Sequence, residues 1–282
     1  MGLRINTNVA SLNAQRNLSQ TKLAMDKTLE KLSSGQRINR AGDDAAGLAI
    51  SENLKAQIRG MGQAERNAQD GVSLVQIAEG ALAEVSNILI RLRELSVQAA
   101  SDTIGNTERK FLNVEFEQLT SEVDRIANST EFNRVPLLNG TGAVFDIQIG
   151  TRNDPVSDRL TFDASSADVN VAALGLNLAS VADKISSQNS LSSIDQAIIS
   201  VSGIRADFGA LQNRLQSTIN NIAVGVENLS AANSRVRDAD IASETAELTK
   251  NNILVTAGTS VLAQANASTK NALNLIQAAS NG

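Results

Sequence analysis

Gly42-Asp43-Asp44-Ala45-Ala46-Gly47 sets two glycines around four residues just ahead of an apolar, helix-like run. That is the spacing with which a phosphate-binding loop opens onto its helix. Such a loop also needs a lysine to meet the phosphate charge and a hydroxyl to hold Mg²⁺, whereas Leu48-Ala49 follows the second glycine here. Asp43 and Asp44 would put negative charge where the anion sits, so the nucleotide reading fails. As metal ligands the two adjacent carboxylates diverge, and the next one, Glu52, lies two turns on, short of the converging oxygens of a calcium loop. Glu115 and Glu117 offer a carboxylate pair for acid–base work, but helical seams on both sides make them surface charges. The structural account is stronger. Asp43 or Asp44 caps a helix opening at Ala45 by accepting from free first-turn N–H groups, and Gly35 ends the helix before it.

Composition removes most other chemistry. The 282 residues include no Cys, His, Trp or Tyr, so thiol nucleophiles, imidazole bases and the usual zinc, haem and iron–sulfur ligands are absent. No cofactor and no metal are expected, and the chain does not read as an enzyme. The six Phe all fall between Phe111 and Phe208, so both ends must bury small aliphatic residues. A net charge of −5 argues against a general nucleic-acid binder. Within residues 1–40, however, Arg4, Arg16, Lys22, Lys27, Lys31, Arg37 and Arg40 outnumber Asp26 and Glu30, which describes a solvated helix face or one that meets a partner segment. No segment is expected to insert in a membrane, and MGLRINTNVASLNAQRNL lacks the apolar stretch of a cleaved signal.

The elements are long helices. Apolar residues recur in steps of three and four: Leu18, Met25, Leu29 and Leu32 near the start, then Leu54 through Leu92 in a run from Ala45 to about Ala100. A third seam has Leu112, Phe116, Leu119, Val123 and Ile126. The fourth extends from Leu191 to Val236, roughly 70 Å at the helical rise, and a last helix from Ile241 places Leu248, Val255, Leu262, Leu273 and Ile276 on one face. Between the third and fourth, Asn139-Gly140 and Asn153-Asp154-Pro155 form turns, and FDIQIG from Phe145 can pair with RLTF from Arg159 as a hairpin. The expected fold is mainly α: a long antiparallel helical bundle or coiled coil, N- and C-terminal helices paired, with a small β-hairpin insert.

The terminal segments have no aromatic residue and only a thin apolar stripe, so they should order only when packed against something. The last segment is also rich in uncharged polar groups, among them Asn251, Asn252, Thr256, Gln264, Asn266, Ser268, Thr269, Asn271 and Asn274. A face with neither charge nor apolar patches suits a surface that other chains slide past.

LSSGQRINRAGDDAAGLAIS from Leu32, ERNAQDGVSLVQIAEGALAEVSNILIRLRELSVQAASDT from Glu65, EFN from Glu131 and ADIASETAELTKNNILVTAGTSVLAQAN from Ala239 resemble the bacterial flagellins. The likeness covers about 1–138 and 190–276. It implies an inner domain of residues 1–43 plus 240–282, a helical bundle domain of 44–138 plus 190–239, and a short solvent-facing insert at 139–189. Gly35, Gly42, Asp43 and Asp44 then form the connector between the inner and the next domain. The filament-assembly helices would use Leu18, Met25, Leu29, Leu32, Leu248, Val255, Leu262 and Leu273, and Asn252, Thr256, Gln264 and Asn271 would line the channel of a hollow filament.

The resemblance further implies an extracellular flagellar filament that serves motility, a helical homopolymer exported by the flagellar type III apparatus without a cleaved signal. Its implied partners are other copies of the chain, an export chaperone, and hook-associated junction and cap proteins. An animal Toll-like receptor for flagellin would meet Arg91, Leu95 and Glu115. Thr269 stands where many relatives have proline, and without His the chain lacks the HExxH insert of some family members. Two other readings stay open: a hook–filament junction protein of the same superfamily, and a soluble signalling module built on a long helical hairpin.

Overall fold

The computed structural model describes residues 7–280, with side chains for 7–271; Arg4, and the side chains of Leu273, Asn274 and Ile276, lie outside the described residues. Five helices carry the chain: α1 (Val9–Ser34), α2 (Ala45–Ala99), α3 (Asn106–Ser129), α4 (Lys184–Arg237) and α5 (Ile241–Ser280). Two antiparallel hairpins lie between α3 and α4. The first joins β1 (Glu131–Phe132) to β2 (Val135–Pro136), and the second pairs β3 (Val144–Gln148) with β4 (Arg159–Asp163) so that Phe145 faces Phe162 and Ile147 faces Leu160. The mainly helical fold with paired ends and small hairpins is the one the seams anticipate.

By compactness the chain forms two units, residues 1–56 with 229–282 and residues 57–228. The larger unit is built around a single core. Leu74, Leu82, Leu89 and Leu92 of α2, Phe116 and Val123 of α3, and Ile194, Phe208 and Leu215 of α4 are all buried in it. Leu160, Val169, Leu174 and Leu176 join that core, so the 139–189 segment has no separate interior and packs as one body with the helices beside it. Arg109 ends α2. Its buried guanidinium donates to the carbonyls of Ala99 (2.7 Å) and Ser101 (2.8 Å) and to Asn106 Oδ1 (2.8 Å), filling the carbonyls that a helix C-terminus leaves open.

Two local features differ from expectation. β1 and β2 turn through Asn133 and Arg134, both with positive φ (49° and 65°), the backbone of a tight two-residue hairpin. The apolar–polar pattern is too short there to announce a strand. The second concerns α2, which contains an 18-residue window of mean hydropathy 1.3, long and apolar enough to cross a membrane by length and composition. This corrects the expectation that no segment reaches that level. A third of that window is buried inside the fold, and the stripe from Leu74 to Leu95 is spent on the core.

Candidate functional site: the paired terminal helices and their connector

α1 and α5 pack antiparallel. Asn8 Nδ2 donates to the Ala265 carbonyl and to Thr269 Oγ1, both at 2.9 Å, near the start of α1. At its end Lys31 Nζ meets Glu244 Oε1 at 2.8 Å. Between these clamps the seam is a heptad on both helices. From 9 to 29 the residues of α1 shielded from solvent are Ser11, Ala14, Leu18, Thr21, Met25 and Thr28, with Leu32 continuing the row. From 242 to 271 those of α5 are Glu244, Leu248, Asn251, Val255, Gly258, Leu262, Ala265 and Thr269. Alternating steps of three and four keep one face inward along each helix.

Leu18, Met25, Leu32, Leu248, Val255 and Leu262 thus lie where the periodicity puts them. Leu29 does not: it is 45% exposed, and Thr28 takes the seam position at 4%. A leucine is the more apolar choice, but the heptad phase set by Leu18 and Met25 rotates residue 29 outward. Asn251, grouped by composition with a polar outer face, is also on the seam and buried at 4%. Asn252, Thr256, Gln264 and Asn271 are exposed on other faces of α5. Outside the seam the pair still exposes large aliphatic residues: Val9, Leu12, Leu23 and Leu29 on α1, and Ile241, Ile253, Leu254 and Val261 on α5.

The connector settles which aspartate does what. Asp44 Oδ1 accepts from Gly47 N at 2.8 Å and so caps α2. Asp43 instead closes the preceding loop: its Oδ2 accepts from Arg40 N (3.1 Å) and Asn39 N (3.3 Å), and these N–H groups, Arg40 first, hold its carboxyl below the ordinary range. Gly35 takes the left-handed conformation (φ 69°) at the end of α1, where any Cβ costs energy. Its carbonyl accepts from Ala239 N at 3.0 Å, Arg37 N donates to the Arg237 carbonyl at 2.7 Å, and Gln36 bridges Asp238. The loop after α1 and the corner before α5 are therefore stitched together.

Sequence reasoning missed the residues that complete this joint. Arg237 donates to Gln36 Oε1 (2.9 Å) and Glu52 Oε1 (2.6 Å), Ser51 donates to Asn233 (2.8 Å), and Ile38 is buried. No spacing links positions about two hundred residues apart. Glycine roles also shift. Gly42 has open space around its Cα and an ordinary φ, whereas a Cβ on Gly47 would come within 2.7 Å of Ile38 Cδ1 and strike the Asp44 carboxylate. Gly47→Val should destabilise the joint by roughly 1–3 kcal/mol through overpacking, and Gly42→Ala should change little. Hydrogen exchange at residues 36–48 checks both, and equal loss of protection in the two variants would reverse the assignment.

Of the implied receptor patch, Arg91 and Glu115 meet in an exposed ion pair, with Nε 2.9 Å from Oε1. Glu115 and then Glu94 raise the Arg91 pKa. Leu95 is 0% exposed and belongs to the core. It faces inward because it continues the α2 stripe from Leu92, which corrects its place in a surface patch. Among the described residues no group of three or more acidic side chains converges to hold a metal.

The class is thus a helical protein whose two ends form one unit with a thin interior and apolar residues left outside. Residues 5–143 match the bacterial flagellin N-terminal helical region and residues 191–276 the C-terminal helical region. The chain is 45% identical to the flagellin of Halalkalibacterium halodurans over 97% of its length and 99% of that protein's. It is 46% identical to the flagellin of Bacillus subtilis, covering 98% and 100%. The crystal structure of Bacillus cereus flagellin, 34% identical, superposes with a TM-score of 0.50 over 60% of this chain and 94% of that one. A structure described as a flagellar hook-associated protein from Vibrio parahaemolyticus shares the fold at 16% identity, with a TM-score of 0.58 over 70% of this chain and all of that one. The chain belongs to the bacterial flagellin family and is a structural subunit of the flagellar filament, an extracellular component that serves motility.

Proposed function

We propose that this chain polymerises through its terminal helix pair, neighbouring subunits covering the aliphatic residues that the pair leaves outside. The observation that carries this is the mismatch within the pair. More than half of its seam is small or polar side chains, while Leu12, Leu23, Ile253, Leu254 and Val261 stay exposed. A two-helix unit with more large apolar side chains outside than its seam can bury is completed by association. The coupling makes the free ends labile, so that in the monomer the terminal helices are cut by protease before about 45–235. The chain as expressed should elongate sheared filament seeds into long tubes in the electron microscope. Particles that stay monomeric or dimeric after seeding would overturn the reading.

In such a tube α5 lines the channel with Asn252, Thr256, Gln264 and Asn271, whose uncharged polar side chains suit the passage of unfolded subunits. Export by the flagellar type III apparatus with a chaperone, and end contacts with hook-associated junction and cap proteins, complete this reading; family membership supports them. Recognition by the animal receptor for flagellin rests on Arg91 and Glu115 alone, and undiminished receptor signalling by Arg91→Ala would remove it.

A further inference from the structure

Five of the six phenylalanines serve the interior: Phe116 and Phe208 are buried in the core of the larger unit, and Phe132, Phe145 and Phe162 pack against it. Phe111 does not. It is 70% exposed on α3. Steps of three and four put Glu108 and Glu115, both exposed, on the same face of the helix beside it. Glu115 shares Arg91 with Glu94, and Glu108 has no hydrogen-bond or ion-pair partner among the described residues. An exposed aromatic ring is thus framed by negative charge that its own chain does not balance.

A matching surface lies on the same unit. The β3–β4 hairpin and α4 form an open cleft of about 430 Å³, with Ile149, Val156 and Leu160 as its apolar wall. That is room enough for an aromatic side chain. The only charged groups lining it are Arg159 and Arg214. Arg159 is held by Asn153 and Asp146, whereas the Arg214 guanidinium has no partner among the described residues.

No chain can fill its own cleft. The Arg91–Glu115 pair and the bond from Arg109 to the Ala99 carbonyl set Phe111 beside the last turns of α2. Gly71 packs against Leu215, which sets the cleft about 25 residues back along α2, or about 38 Å at the helical rise. We propose that Phe111 of one subunit enters the cleft between the β3–β4 hairpin and α4 of another, with Glu108 meeting Arg214. Two unlike surfaces far apart on one unit make a heterologous contact, which extends into an open chain instead of closing as a dimer. Charge fixes the direction: the acidic, aromatic face fits the basic cleft, and neither fits a copy of itself. One phenylalanine and its neighbours bury too little to join two subunits alone, since stable interfaces bury about 1,200 Å² or more. The contact therefore acts only alongside the terminal helices. The inference rests on the polymerisation reading above and adds to it a second contact, on the larger unit.

Substitutions in the full chain, read by the rate of elongation on sheared seeds, test this contact. Phe111→Ala should slow elongation by at least about tenfold, the effect of removing a central aromatic anchor, while the urea midpoint of the free subunit stays in place. Arg214→Glu and Glu108→Arg should each slow it by about tenfold, and the two together should return it to within about threefold of the parent. That rescue cannot come from a fold that merely failed. The chain has no native cysteine, so Thr107→Cys with Val156→Cys, treated in assembled filaments with a short bifunctional maleimide, should give a ladder of covalent multimers on a denaturing gel. The two positions are too far apart to be bridged within one chain. A parent rate in Phe111→Ala or Arg214→Glu, or a double charge variant no faster than its singles, would overturn the proposal. So would a cross-linked product that stops at the dimer or never forms. Failure of the unaltered chain to elongate would instead strike at polymerisation itself.

Discussion

Leu262→Asp should abolish seeded elongation, a fall of at least about a hundredfold in rate, while the main unfolding transition of the chain should stay in place. Leu262 is half-buried on the α5 seam, between Gly258 and Ala265. A carboxylate at that position must be desolvated beside aliphatic carbon, at several kcal/mol, or must separate the helices. Its small neighbours on α5 supply no polar group to receive it, so the ends fail to pair. The middle of the chain is a different unit, residues 57–228, with its own core, and it should not register the change. Leu262→Met, which keeps volume and polarity, should elongate nearly normally. Filament length distributions against time after seeding measure the rate, and circular dichroism on heating measures the transition. A Leu262→Asp chain that elongates within threefold of the parent would show that the seam is not required.

The second large effect lies in that core. Phe208→Ala should lower the stability of the larger unit by about 3–5 kcal/mol, the combined loss of transfer energy and of packing around the hole. Phe208 is 1% exposed and its ring sits 4.8 Å from that of Phe162, tilted by 46°. Phe162 in turn stacks on Phe145 across the β3–β4 hairpin, centroids 6.4 Å apart. The substitution therefore removes the aromatic contact through which the hairpin is held to α4. Phe111→Ala makes the comparison, since Phe111 is 70% exposed and its loss should stay within about 0.5 kcal/mol. Urea midpoints followed by far-ultraviolet circular dichroism decide between them. A Phe208→Ala loss below about 1 kcal/mol would mean that the hairpin is anchored elsewhere.

The two substitutions also separate what the family does from how this chain stays folded. Disabling the seam should leave a stable subunit that no longer elongates seeds. Opening the core should leave the seam residues intact on a chain whose larger unit is destabilised. The order in which the free chain is cut by protease follows from the same division: the terminal pair, with a seam of Ser, Ala, Thr and Gly among its aliphatics, before the region that buries Leu82, Leu89, Phe116 and Phe208.

Much of this was determined by the sequence alone. Steps of three and four name the five helices, because a helix face repeats every 3.6 residues whatever it packs against. Turn residues mark the β3–β4 hairpin, and Gly35 marks the end of α1, because left-handed backbone is a local cost. The missing lysine removed the phosphate loop before any geometry was known. Tertiary structure decided which way each helix is rotated and what meets across long separations. Thr28 rather than Leu29 is inside, and Leu95 is core rather than surface, because a partner helix selects the phase of the stripe. Asp44 rather than Asp43 caps α2, because the 39–43 loop bends back to take Asp43 for its own amides. The Arg237 cluster and the stitching of Gly35 to Ala239 arise between segments some two hundred residues apart, where no periodicity within either segment carries information about the other.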